Sequence, residues 1–127
     1  MRGLLLDTHA ALWYIEGNAE RMPQATRARI ETWQGDVAIS AVSLWEIAIK
    51  SGLGKLRADP DLPQQLEDAG FQTLPITREH AWAVRDLPQH HRDPFDRLLI
   101  VQCRAEHVTL LTCDDAFAAY DEVVTAW

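Results

Sequence analysis

Four acidic residues have the type and position to do chemistry: Asp7, Glu46, Asp96 and Asp114. Each follows a short apolar, strand-like run or falls near the start of a predicted helix. In an alternating β/α chain, the ends of parallel strands and the starts of the helices after them converge on one edge of the sheet. Carboxylates gathered at such an edge repel one another unless a cation sits between them. The pattern therefore points to a Mg²⁺ or Mn²⁺ site and to hydrolysis of a phosphodiester.

Each acid also has a structural explanation. Asp7 closes the run Leu4-Leu5-Leu6 and could cap the next helix, although Thr8 could cap it as well. Ser43-Leu44-Trp45-Glu46 spells a capping box, which alone would account for Glu46. Asp93-Pro94-Phe95-Asp96 supplies a cap, a first-turn proline and a further first-turn acid. The helix dipole favours such acids by roughly 0.3–1 kcal/mol. With Asp93 serving as cap, Asp96 is the better functional candidate. Asp114 and Asp115 open another helix after a strand, and spacing does not choose between them. Helix N-termini oppose a cation, so three or four carboxylates are needed to outweigh several such ends.

The elements that must position these acids alternate along the chain. Strands are expected at Gly3–Asp7, Val37–Ile39, Phe71–Ile76, Val108–Leu111 and Val123–Val124. Leu4-Leu5-Leu6 reads as a strand buried on both faces, and Pro75 marks an edge strand. Helices are expected at Thr8–Glu16, Pro23–Trp33, Ser43–Lys50, Leu62–Ala69, Thr77–Leu87, Asp93–Glu106 and Asp114–Ala119, with Ser51–Lys55 and Pro88–Arg92 as loops. The strongest is the helix after Asp93, with Leu98, Leu99, Ile100, Val101 and Cys103 on a broad apolar face. Alternation of this kind implies a parallel α/β sheet in one domain spanning residues 1–127.

Composition narrows the function classes. The chain of 127 residues is 47% hydrophobic, enough for one core. No apolar run is long enough for a membrane span, and the first apolar stretch is too short for a secretory signal, so a cytoplasmic location is expected. The net charge of −7 argues against tight non-specific binding of nucleic acid and suits a basic partner protein. The two cysteines, Cys103 and Cys113, form no metal or redox motif and are expected to be buried thiols. His9, His80, His90, His91 and His107 lack zinc-site spacing and are expected in loops or on the surface. Of the five tryptophans, Trp45 and Trp82 are candidates for a partner surface.

Leu4-Leu5-Leu6-Asp7-Thr8-His9-Ala10, Ser43-Leu44-Trp45-Glu46-Ile47-Ala48-Ile49-Lys50, His91-Arg92-Asp93-Pro94-Phe95-Asp96-Arg97 and Thr112-Cys113-Asp114-Asp115-Ala116-Phe117 together resemble the PIN domain. More narrowly, they resemble the VapC toxins of bacterial type II toxin–antitoxin systems. The resemblance covers essentially the whole chain, and the Asp-Pro-Phe-Asp-Arg block is its most specific part. It implies a three-layer α/β/α sandwich around a short parallel sheet and a Mg²⁺- or Mn²⁺-dependent ribonuclease acting on transfer or ribosomal RNA. By motif, the family's four acids fall on Asp7, Glu46, Asp96 and Asp114, so the resemblance selects Asp114 over Asp115. It makes Asp7 and Asp96 the principal metal ligands, with Glu46 and Asp114 completing the shell or orienting water. Cys113 departs from the polar or basic residue frequent at its position. A cognate antitoxin, a homodimer and a toxin–antitoxin hetero-oligomer are further expectations of the family. Lys50, Lys55, Arg92 and Arg97 are candidate phosphate contacts.

Two other functions compete. Asp7-Thr8 with a late acidic pair is also similar to haloacid-dehalogenase-like phosphatases, but His9 stands where those carry a second acid. A non-catalytic RNA-binding or assembly module would keep the acids as helix caps alone.

Overall fold

A computed structural model describes residues 3–89, 93–120 and 124–127. Five short strands form one parallel sheet: β1 (Leu4–Leu6), β2 (Val37–Ser40), β3 (Gln72–Leu74), β4 (Thr109–Thr112) and β5 (Val124–Ala126). Their order is β3-β2-β1-β4-β5, with β1 central and every pairing parallel. The chain winds from β1 outward to β3, then returns to the other side of β1 for β4 and β5. The winding direction therefore reverses between β1 and β4, and there the crevice of such a sheet opens. The edge position expected for the strand before Pro75 is observed.

The helices are α1 (Thr8–Glu16), α2 (Gln24–Glu31), α3 (Ala41–Gly52), α4 (Leu62–Asp68), α5 (Arg78–Ala83) and α6 (Pro94–Glu106). Short 3₁₀ segments follow at Val84–Asp86 and Asp115–Tyr120. Successive residues of β1 point to opposite faces. Leu4 and Leu6 enter a cluster with Ala11 and Leu12 of α1, Ile30 of α2, Ile47 of α3 and Leu62 and Leu66 of α4. Leu5 enters a second cluster with Leu99, Ile100 and Val101 of α6, Phe117 and Tyr120. Two apolar layers on one sheet make the expected α/β/α sandwich. The all-buried reading of Leu4-Leu5-Leu6 holds: none exceeds 2% exposure.

Several expectations are corrected. The helix placed at Ser43–Lys50 begins earlier, at Ala41, straight from β2 with no loop. Its cap is Ser40, whose hydroxyl accepts from the Val42 amide at 3.0 Å and donates to Gln102 Oε1 at 2.5 Å. The spelled capping box at Ser43–Glu46 therefore does not form, because the helix is already running when it reaches Ser43. It also runs past Lys50 to Gly52, into the expected loop. The segment after Asp114 is 3₁₀ rather than α, and Thr77–Leu87 is a short α-helix that tightens into 3₁₀ at Val84. Pro23 stands at the cap position of α2 rather than inside its first turn.

His80 is buried rather than superficial. It closes a capping box with Thr77 and reaches Glu106 at 2.9 Å through Nε2. Cys103 is buried as expected, but Cys113 is exposed. Expectations for His90, His91, Arg92 and Val123 lie outside the described residues.

Candidate functional site

Asp7 is the first residue past β1 and caps α1. Its Oδ1 accepts from the Ala10 amide at 2.7 Å, and its Oδ2 accepts from the Thr112 hydroxyl. Because β1 pairs with β4 in register Leu6↔Leu111, Asp7 and Thr112 face each other across the reversal point of the sheet. Asp7 is 6% exposed. Burial pushes its carboxyl above the usual range; the Thr112 and Ala10 hydrogen bonds and the His9 charge oppose this, and the Asp114 charge adds to it.

Thr112 also ties in the second acid of this edge. Its hydroxyl oxygen accepts from the Asp114 amide at 3.0 Å. Asp114 in turn accepts from the Ala116 amide at 2.9 Å and starts the 3₁₀ segment, with its side chain exposed. Asp7 and Asp114 are thus linked through one buried threonine, whose place at the end of a strand is its only sequence signal.

A second group assembles around α3. Glu46 is 4% exposed and lies in the second turn of the helix, beyond the first turn that the dipole favours. Its Oε1 accepts from the Thr8 hydroxyl at 2.7 Å, and its Oε2 pairs with the Lys50 ammonium at 2.5 Å. Thr8 and Ser43 hydroxyls lie 2.9 Å apart. Thr8 has a single proton, which the carboxylate takes, so Ser43 serves as donor between the two hydroxyls. Thr8 directly follows Asp7, and it joins the two groups.

At the start of α6, Asp93 is the cap. Its Oδ1 accepts from the amides of Phe95 at 2.8 Å and Asp96 at 3.1 Å. Asp96 occupies the third helical position, as expected, and is half-buried. The Glu46 hydrogen bond raises the Lys50 ammonium above its ordinary range; burial opposes this, and the charges of Glu46, Asp93 and Asp96 add to it. Lys50 therefore lies within electrostatic reach of both α3 and α6 acids.

The acids share one edge but not one point. Among the described residues, no group of three or more His, Cys, Asp or Glu side chains is arranged to hold a metal ion. Asp7 and Asp114 share the Thr112 hydroxyl, while Glu46 pairs with Lys50, whose ammonium also feels the charges of Asp93 and Asp96. The chemistry of the donors still fits a hard divalent ion: every side chain offered is a carboxylate or hydroxyl oxygen. A buried carboxylate pushed up by burial and by a second acid is also a group that a cation would neutralise.

Arg97, a candidate for phosphate, is buried and donates to the carbonyls of Val84, Leu87 and Pro88, each at 3.1 Å. It pins the segment before α6. Trp45 and Trp82 are exposed, consistent with a surface role, and Trp45 packs edge-on against Phe95. Two hollows of about 510 Å³ each lie along α1, α3 and α4, away from the four candidate acids.

The family model for the PIN domain matches residues 4–123. The chain belongs to the PIN domain family. PIN domains are nucleases and generally use divalent metal ions. The match removes the support for the dehalogenase-like alternative. Solved structures share the fold along the whole chain. VapBC2 from Rickettsia felis, bound to a DNA fragment from its promoter, aligns with TM-score 0.71 and 16% identity over 98% of each chain. DNA-bound VapBC from Salmonella typhimurium aligns with TM-score 0.71 and 14% identity over 100% of this chain and 99% of that one. VapBC-5 from Mycobacterium tuberculosis, a member of the VapBC family of toxin–antitoxin systems, aligns with TM-score 0.56 and 23% identity over 99% and 98%. No curated protein matches the chain significantly. Among the described residues of this PIN domain, no helix is long and apolar enough to cross a membrane.

Proposed function

We propose that this PIN domain, taken as one domain over residues 1–127, is a metal-dependent endoribonuclease and the toxin of a type II toxin–antitoxin pair. Asp7, Glu46, Asp96 and Asp114 are its catalytic carboxylates; Asp7, Asp96 and Asp114 hold Mg²⁺ or Mn²⁺, and Glu46 completes the shell directly or through water. The observation that carries this reading is Asp7: a buried carboxylate, pushed above its usual range, at the reversal point between β1 and β4. A cap alone does not need a second oxygen fixed by a buried threonine.

When bound, the ion lowers the pKa of a coordinated water and neutralises phosphate charge. The chain's own residues do the positioning. Thr112 fixes Oδ2 of Asp7 and the backbone of Asp114 together, so these two acids keep their spacing. Thr8, next to Asp7 in the chain, fixes Oε1 of Glu46. Asp96 is carried at the start of α6 by the Asp93 cap, whose bonds to Phe95 and Asp96 fix that turn.

The nuclease family together with the likeness to VapBC complexes supports the proposal of an RNA substrate. The same likeness supports an antitoxin partner; a homodimer, a toxin–antitoxin hetero-oligomer and a cytoplasmic location belong to the proposal. The net charge of −7 suits a basic antitoxin segment. The test is mapping of RNA 5′ ends after brief expression of wild type, Asp7→Asn and Asp96→Asn. Wild type should generate new ends at discrete sites and arrest growth, and both variants should fold and do neither. Arrest by both folded variants would sink the assignment and leave a non-catalytic module.

A further inference from the structure

Both oxygens of Glu46 are engaged, and by unlike partners. Oε1 meets the hydroxyl of Thr8, a neutral side chain fixed by burial. Oε2 meets the ammonium of Lys50 at 2.5 Å, carried on a flexible stem that is 37% exposed. The i,i+4 spacing on α3 brings the two side chains to the same face. On an open helix surface such a pair contributes little. Here the carboxylate is 5% exposed, so water reaches it poorly and the ammonium is its charge partner. The same ammonium feels Asp93 and Asp96 across the gap to α6. One lysine thus pairs with Glu46 and feels the charges of two further acids at the start of α6, and an incoming divalent cation would be drawn to the same carboxylates.

We propose that Lys50 is a tethered counter-ion of the acidic centre: it neutralises Glu46 when no divalent ion is bound and competes with that ion for Glu46. Lys50 is then a positioning residue whose charge sets how much metal the site requires. The inference rests on the metal-dependent reading above. An ordinary helix staple would lend stability to α3 without affecting metal affinity.

The experiment is Mn²⁺ binding to the full chain, followed by calorimetry and by the electron paramagnetic resonance of free Mn²⁺. The proteins are wild type, Lys50→Met, Lys50→Arg and Lys55→Met. Lys50→Met should bind Mn²⁺ at least about tenfold more tightly than wild type, as expected when a close charge competitor is removed. Lys50→Arg should stay near wild type. Lys55→Met, which removes an exposed charge further along the chain, should also stay near wild type. Equal affinity of Lys50→Met and wild type, or an equal gain in Lys55→Met, overturns the counter-ion role and leaves the metal centre standing. Absence of Mn²⁺ binding in every protein overturns the metal centre and the counter-ion with it. If Lys50→Met fails to fold, a Mg²⁺ titration of wild type followed by lysine side-chain NMR decides. The Lys50 ammonium signal should shift as Mg²⁺ saturates, and a signal unmoved at saturation overturns the proposal.

Discussion

Asp7→Asn separates the two roles of the central acid. Asn caps helices as well as Asp does, so the Ala10 amide keeps an acceptor. The Thr112 contact is redirected, because the new amide nitrogen donates to the threonine oxygen and no longer accepts from it. Two hydrogen bonds to a charged carboxylate become neutral ones, a loss of about 1 kcal/mol each. Against that, a carboxylate no longer has to be held away from water, where the effective penalty is several kcal/mol per ion. The structure supplies the sign: burial raises the Asp7 carboxyl despite both hydrogen bonds, so the penalty exceeds them. The variant should therefore be more stable than wild type at neutral pH, by about 1 kcal/mol, or about 4 °C in Tm.

The pH dependence follows from the same sign. A carboxyl raised on folding binds its proton more readily in the native state than in the unfolded chain. Wild-type stability is therefore lowered as pH rises from 3.8, the ordinary Asp value, through the raised native one. Asn shows no such loss, so the advantage of the variant should be largest near neutral pH and fade on acidification. Urea unfolding followed by tryptophan fluorescence measures the difference, and RNA cleavage should be lost in parallel. A variant less stable than wild type at neutral pH, or an advantage that grows on acidification, would refute the reasoning.

Three further outcomes are expected. Ser40→Ala removes the cap of α3 and the hydroxyl donor to buried Gln102, at a cost of about 2–3 kcal/mol in urea unfolding; the cap position implies a smaller loss for Ser43→Ala. Thr8→Val leaves Glu46 Oε1 without its hydroxyl donor and should cost about 1–3 kcal/mol, largely restored in Thr8→Ser. In the native protein a thiol reagent should modify exposed Cys113 and spare Cys103, whose thiol burial pushes up to about 12; Cys103 should react only on unfolding.

Legibility in the sequence followed the range of the forces involved. The first strand and α1 can be read from adjacent residues: three leucines, an acid, a helical run and Gly17, which takes a left-handed φ of 66° to end the helix. Asp93 as cap with Asp96 behind it is equally local. What fails is whatever a distant partner decides. Gln102 holds Ser40 from 62 residues away and starts α3 early. Three carbonyls before α6 claim Arg97, and Glu106 with Thr77 draws His80 inward. Thr8 and Thr112 matter through partners 38 and 105 residues away, so neither stands out in a linear reading.

Glu46 shows how such a correction can strengthen a functional reading. In the sequence its capping box is a sufficient explanation, because a box would place the carboxylate at the backbone of the first turn. With Ser40 as cap, Glu46 lies beyond that turn, where neither the amides nor the dipole offers support. A charge buried there is a liability that folding alone does not require, and an apolar side chain at this position would pack without it. The chain instead surrounds it with Thr8, Ser43 behind Thr8, and Lys50. If that arrangement existed for stability, Glu46→Gln would weaken the fold by breaking the Lys50 pair. If it exists for chemistry, the same variant should fold at least as well and lose RNA cleavage. Unfolding and cleavage measured on one preparation of Glu46→Gln distinguish the two.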